Sequence, residues 1–113
     1  MSLSRNHHVS LSDEDGAVVV LVRGEIDLAA APTLRDRLRE AGDRSPAVVV
    51  DMADTTFLDS SGLHVLVRAH AERTAAGGTL VLRSPSTSVT SVLAMAGIAH
   101  LIPVEPTDDD PAS

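Results

Sequence analysis

The amino-acid sequence predicts a single α/β domain built on a mixed, mostly parallel sheet of about five strands. Residues 18–22 and 47–50 are short, continuous, β-branched runs, which are typical of strands covered on both faces. Amphipathic stretches with helical spacing separate the later runs. A length of 113 residues suits one hydrophobic core and is too short for two. The predicted element order is β-β-α-β-α-β-α-β, with right-handed helical crossovers joining the later strands.

Five apolar runs bounded by Gly, Pro or charged residues are predicted to be the strands. They are residues 9–11, 18–22, 47–50, 79–83 and 101–104. The first is one arm of a hairpin, because an acidic turn ending at Gly16 separates it from the second. The last is predicted to be an edge strand, since Pro103 cannot donate to a central ladder.

Three helices are predicted between these strands. The first has apolar residues at i, i+3, i+7 and i+10, namely Ala31, Leu34, Leu38 and Ala41. Pro32 is tolerable in its first turn, and Gly42 is expected at its end. The second helix is predicted from Gly62 to about Ala76, before a glycine pair, and the third from about Ser86 until Gly97 stops it.

The ends of the chain lack periodicity and are predicted to lie outside the folded unit. Residues 1–8 are expected to be a flexible N-terminal segment, and residues 9–104 the domain. Residues 105–113 combine Asp and Pro without a hydrophobic pattern, which indicates a disordered acidic tail.

Composition excludes several classes of function. The formal net charge is −7, and a field of that sign repels nucleic-acid backbones and anionic membrane surfaces. The chain has no Cys and no Lys, so disulfides, thiolate metal sites and lysine-centred catalysis are excluded. No run approaches the ~20 apolar residues of a membrane span. We therefore expect a cytoplasmic, mainly monomeric protein without metal or organic cofactor.

Chemistry is expected where the strand of residues 47–50 is followed by a loop and a helix start carrying Ser60 and Ser61. Sites in open α/β sheets gather at the carboxyl ends of the strands. Either serine can serve as the N-cap, and the free backbone N–H groups of a helix start favour an attached phosphate. The alternative interpretation is that Asp59-Ser60-Ser61 is only a capping sequence.

The segments around these serines resemble the STAS family of sulfate-transporter and anti-sigma-factor-antagonist domains. The family signature F-[LMI]-D-S-[ST]-G-[LV] reads here Phe57-Leu58-Asp59-Ser60-Ser61-Gly62-Leu63. A second landmark, G-E-[LI]-D before the first helix, reads Gly24-Glu25-Ile26-Asp27. A third, around the last helix, reads Ser84-Pro85 and Gly97-Ile98. The resemblance spans about Val9 to Val104 and implies a STAS-like fold.

The resemblance to anti-sigma-factor antagonists implies a switch protein rather than an enzyme. It implies that the unphosphorylated domain binds a serine kinase that holds a sigma factor inactive, so that the sigma factor is released. Phosphorylation at Ser60 would prevent this binding until a phosphoserine phosphatase acts, and Ser61 is expected to help cap the helix. The implied partner-binding residues are Glu25, Asp27, Phe57, Leu58, Asp59, Ser61, Gly62 and Leu63. Thr90 and Ser91 stand where the family commonly has basic residues.

Other interpretations of these residues are weaker. A hydrolase nucleophile needs G-x-S-x-G and a positioned histidine, and the first glycine is missing. His64, His70 and His100 share no metal-ligand spacing. The main rival function is a STAS scaffold without a phosphoswitch, such as an accessory subunit of an ABC-type lipid transporter or a component of a sensory complex.

Overall fold

The computed structural model describes residues 6–105, which form a five-stranded sheet packed with three helices. The strands β1 to β5 are His7–Glu14, Ala17–Ile26, Ala47–Asp51, Thr55–Leu58 and Thr79–Arg83. The helices α1 to α3 are Ala31–Arg44, Ser60–Ala75 and Thr87–Met95. The predicted α/β class is confirmed, and the observed order is β-β-α-β-β-α-β-α.

The sheet has the strand order β1-β2-β3-β5, and β4 pairs separately with β2. Strands β1 and β2 form an antiparallel hairpin, whereas β2 with β3, β3 with β5 and β2 with β4 are parallel. The hairpin turns at Asp15 and Gly16, whose φ angles of 51° and 84° are those of a two-residue type I′ turn. The predicted mixed, mostly parallel sheet is therefore confirmed.

Helices α1 and α2 pack against each other and against one face of the sheet. The strand residues of this face are buried: Val18, Val20, Val22, Val48, Val50, Leu80 and Leu82. The apolar face predicted for α1 is confirmed, since Ala31, Leu34, Leu38 and Ala41 are all buried. Helix α3 adds Val89 and Leu93 to the same aliphatic cluster.

The last predicted strand is wrong in extent. Residues 101–104 make only one parallel bridge, between Val104 and Leu82. The amide of Leu82 donates to the carbonyl of Pro103 at 2.9 Å. Pairing goes no further toward the N-terminus because Pro103 has no N–H and Leu101 belongs to a turn.

A strand also lies where a loop was predicted. Between Asp51 and Asp59 the chain forms β4, which pairs with the end of β2. Its sequence Thr-Thr-Phe-Leu favours extended backbone, but four residues are too few to show a periodicity. This short strand places the loop before α2 directly beside the loop before α1.

The terminal segments are described only in part, since residues 1–5 and 106–113 lie outside the described range. His7 and His8, predicted to be part of a flexible segment, belong to β1 because they pair with the end of β2. Glu105 hydrogen-bonds to Arg83 at 2.8 Å and, together with Glu14, raises the pKa of this guanidinium above its usual value. No helix within residues 6–105 is long and apolar enough to cross a membrane.

Candidate functional site

The two acidic motifs predicted to form the site meet at the carboxyl edge of β2 and β4. Ile26 at the end of β2 pairs with Leu58 at the end of β4. The amide of Asp59 donates to the carbonyl of Ile26 at 3.2 Å. Because paired strands lie ~4.8 Å apart, Asp27 and Asp59 leave the sheet at neighbouring positions. Strand pairing therefore brings together two motifs that are distant in sequence.

Asp59 is the N-cap of α2. Its backbone is extended, with φ −101° and ψ −175°, and its carboxylate Oδ1 accepts from the amides of Ser61 at 2.8 Å and Gly62 at 3.2 Å. The prediction that Ser60 or Ser61 caps the helix is therefore wrong. The helix begins at Ser60, so both serines already have helical backbone, and the residue before them takes the cap.

Asp27 fixes the turn between β2 and α1. Its Oδ1 accepts from the amide of Ala30 at 3.1 Å, and its own carbonyl accepts from the amide of Ala31 at 2.9 Å. This half-buried carboxylate therefore organises the start of α1. Glu25, by contrast, is exposed, and its Oε1 accepts from Asn6 at 3.5 Å.

The two serines differ in exposure. Ser60 is exposed and Ser61 is half-buried. Neither hydroxyl forms a hydrogen bond with any of residues 6–105. The Ser60 hydroxyl is consequently accessible and is not needed to hold the helix start together.

Gly62 lets α2 begin directly on the sheet. A Cβ atom there would lie 2.5 Å from Leu58 Cδ1 and 2.8 Å from Ile26 Cγ2, which real Cβ atoms essentially never show. Gly62 and Leu58 are therefore buried beneath the site rather than on its surface. Leu63 is half-buried and packs against the core.

Two large apolar side chains are exposed at this edge. Phe57 on β4 is 47% exposed, and Leu28, the residue after Asp27, is 74% exposed. Phe57 belongs to the predicted site and Leu28 does not, because the sequence around an apolar loop residue does not show whether its side chain is exposed. Residues 6–105 contain no cluster of three potential metal ligands. An exposed hydroxyl therefore lies beside two acidic loops and two exposed apolar side chains.

Comparison with known proteins assigns the chain to a family. The chain belongs to the STAS domain family, because the model of that family matches residues 8–110. An anti-sigma-B factor antagonist of Bacillus subtilis is 26% identical, over 88% of this chain and 91% of that protein. The anti-sigma-F factor antagonist RsfB of Mycobacterium tuberculosis is 36% identical, over 58% of this chain and 55% of that protein.

The solved structures agree with this assignment. The crystal structure of an anti-sigma factor antagonist from Mycobacterium paratuberculosis superposes with a TM-score of 0.81 at 29% identity. The superposition covers 97% of this chain and 94% of that one. The resemblance drawn from the motifs, to STAS domains of the anti-sigma-factor-antagonist type, is confirmed.

Proposed function

We propose that this protein is an anti-sigma factor antagonist whose binding is switched off by phosphorylation of Ser60. The observation that carries the proposal is the Ser60 hydroxyl, which is exposed at the start of α2 and makes no hydrogen bond to any of residues 6–105. The relatives named as antagonists of anti-sigma factors support the class. In this mechanism the protein binds and does not catalyse.

The proposed partner is an anti-sigma factor that is also a serine kinase. The unphosphorylated protein binds this kinase and thereby frees the sigma factor, and a phosphoserine phosphatase restores the binding form. The contact residues are the exposed and half-buried side chains of the edge: Glu25, Asp27, Phe57, Asp59, Ser61 and Leu63. Leu58 and Gly62 support this surface from beneath, since both are buried. Leu28 joins the contact set because of its exposure.

Phosphorylation acts here without refolding the helix. Asp59 already caps α2, so a phosphate on Ser60 neither replaces nor removes the cap. The N-terminal end of a helix also tolerates negative charge. The free phosphorylated protein therefore keeps its fold and a hydrated phosphate.

The switch comes from docking, which places that phosphate in a drier environment. A phosphoserine brings about −1.5 to −2 charge. At ~5 Å from one carboxylate, with an effective dielectric constant of about 20, each unit of charge is opposed by roughly 3 kcal/mol. Asp59 and Asp27 supply such carboxylates, and docking strengthens the repulsion while adding a desolvation cost. The intramolecular repulsion exists in the free protein as well, so only its increase on docking and the desolvation cost weaken binding. Together they must reach about 5.5 kcal/mol to reverse a 99:1 equilibrium.

Calorimetric titration against the cognate kinase tests the proposal. We expect Ser60→Ala to bind like the wild type and to resist inactivation by kinase and ATP, and Ser60→Asp to bind about tenfold or more weakly. Mass spectrometry should map the phosphate to Ser60, and the Ser61→Ala variant, as the control for the modified position, should still be phosphorylated. Equal affinities for wild type, Ser60→Ala and Ser60→Asp would favour the non-switching scaffold. A phosphate found only on Ser61 would overturn the assignment of Ser60 as the acceptor.

A further inference from the structure

A groove of about 460 Å³ between α1 and α2 concentrates positive charge in an otherwise acidic protein. Four of the nine arginines of the chain line it: Arg35, Arg39, Arg68 and Arg73. The acidic residues of the lining are Asp43 and Glu72. Four positive and two negative formal charges leave an excess of two positive charges, whereas the whole chain has a net charge of −7.

The arginines of the groove are poorly paired. Three of the four described arginines outside it have a carboxylate oxygen within 2.9 Å, namely Arg37, Arg44 and Arg83. In the groove, Arg35 and Arg68 approach a carboxylate only at 3.8 Å. The guanidinium groups of Arg39 and Arg73 form no hydrogen bond or ion pair with residues 6–105. Guanidinium groups that could each bind a carboxylate bidentately are thus available.

Arg73 is the most informative of these residues because it is half-buried. Its Nε lies 2.9 Å from the position that a Cβ on Gly42 would occupy, so the side chain lies across the glycine of α1. A guanidinium that is partly removed from water without a counter-ion carries a desolvation cost. An anion bound in the groove would offset this cost.

The shape of the groove favours an extended anion over a compact one. The lining positions run from Arg35 to Asp43 on α1 and from His64 to Arg73 on α2. At 1.5 Å per residue, each wall is roughly 12 to 14 Å long. Arg35 and Arg39 are four positions apart on α1 and are therefore separated by about 6 Å along the helix axis. This distance is close to the ~6.7 Å repeat of alternate side chains in an extended peptide.

We propose that this groove binds an acidic peptide segment of a partner protein. On α2, His64 and Arg68 follow Ser60 at intervals of four residues, so they lie one and two turns further along the helix surface. A partner docked at Ser60 can therefore continue into the groove. The identification of that partner as the anti-sigma factor rests on the proposed function, whereas the acidic chemistry of the segment rests on the groove alone.

A short peptide of alternating Glu and Ala, labelled with fluorescein, is the probe. We expect Arg39→Gln combined with Arg73→Gln to weaken its binding about tenfold. The matched control combines Arg37→Gln with Arg44→Gln, which removes the same charge from α1 positions outside the groove and should retain most of the wild-type affinity. Thermal unfolding of both double variants verifies that they are folded, and amide chemical shifts should move along α1 and α2.

Several results would overturn the proposal. Equal loss of affinity in both double variants, or amide chemical-shift changes outside α1 and α2, would show that the peptide binds only by general charge attraction. Displacement of the peptide by an equal concentration of inorganic phosphate would make the groove a small-anion site. Tighter peptide binding by a chain ending at Glu105 would identify the chain's own tail as the occupant. The titration contains no kinase, so its outcome is independent of the Ser60 test.

Discussion

Helices α2 and α3 both start beside β4, and each start carries two serines, but the serines form different hydrogen bonds. At α3, Ser86 is the N-cap: its hydroxyl accepts from the amide of Val89 at 3.3 Å and donates to the carbonyl of Thr55 at 2.5 Å. Ser88 donates to the carbonyl of Thr56 at 2.8 Å. These hydroxyls attach the helix to the strand.

At α2 an acidic residue supplies the cap instead. Asp59 caps the helix, and the hydroxyls of Ser60 and Ser61 make no hydrogen bond to any of residues 6–105. The two starts therefore differ: hydroxyls of Ser86 and Ser88 hold α3 against β4, whereas the carboxylate cap of Asp59 leaves the serine hydroxyls of α2 without a structural role in the described residues. A hydroxyl left exposed by its neighbour is available for modification, and its loss should leave the fold intact.

The largest effect on stability is expected at the α3 start. Ser86→Ala removes both the cap of Val89 and the hydrogen bond to Thr55, so the free energy of unfolding should fall by about 2 kcal/mol. Urea denaturation measures this change. Ser91→Ala, an exposed position later in the same helix, is the control and should lie within about 0.5 kcal/mol of the wild type. Equal stability of the two variants would contradict the structural role of Ser86.

A smaller effect is expected at the cap of α2. Asp59→Ala should lower the free energy of unfolding by about 1 kcal/mol, because the amides of Ser61 and Gly62 lose their acceptor. Asp59→Asn should retain most of the stability, since asparagine caps about as well as aspartate. If Asn were as destabilising as Ala, the charge of Asp59 rather than its hydrogen bonds would stabilise the helix start.

The sequence was sufficient for those features that depend on local patterns. Continuous β-branched runs predict β2 and β3, and the spacing of Leu34 and Leu38 predicts the buried face of α1. The motifs that contain Asp27 and Asp59 are recognisable in the sequence, but their juxtaposition is not. Their meeting required the pairing of Ile26 with Leu58, which depends on a strand too short to be recognised from its own four residues.

Features that depend on three-dimensional packing could not be predicted. Which of the adjacent residues Asp59, Ser60 and Ser61 caps α2 depends on the extended backbone of Asp59. The sequence does not determine that backbone conformation. The groove forms only where α1 packs on α2. It could not be predicted because Arg39 and Arg73 belong to segments with no shared motif. The exposure of Leu28 required the turn built by Asp27. In each case the missing information was the position of a neighbour distant in sequence or the conformation of one residue.

The smallest effects on stability are expected for Ser60→Ala and Ser61→Ala, and they test most directly whether the starts of α2 and α3 differ. A role of Ser61 in capping, as the sequence predicted, would cost about 1 kcal/mol on removal. The structure gives neither hydroxyl a hydrogen bond within residues 6–105, and alanine is the best helix former, so each variant should stay within about 0.5 kcal/mol of the wild type. Urea denaturation beside Ser86→Ala provides the measurement. If Ser61→Ala lowered the free energy of unfolding as much as Ser86→Ala, the two helix starts would be alike. If Ser60→Ala leaves that free energy unchanged, any change in kinase binding reports on the switch and not on the fold.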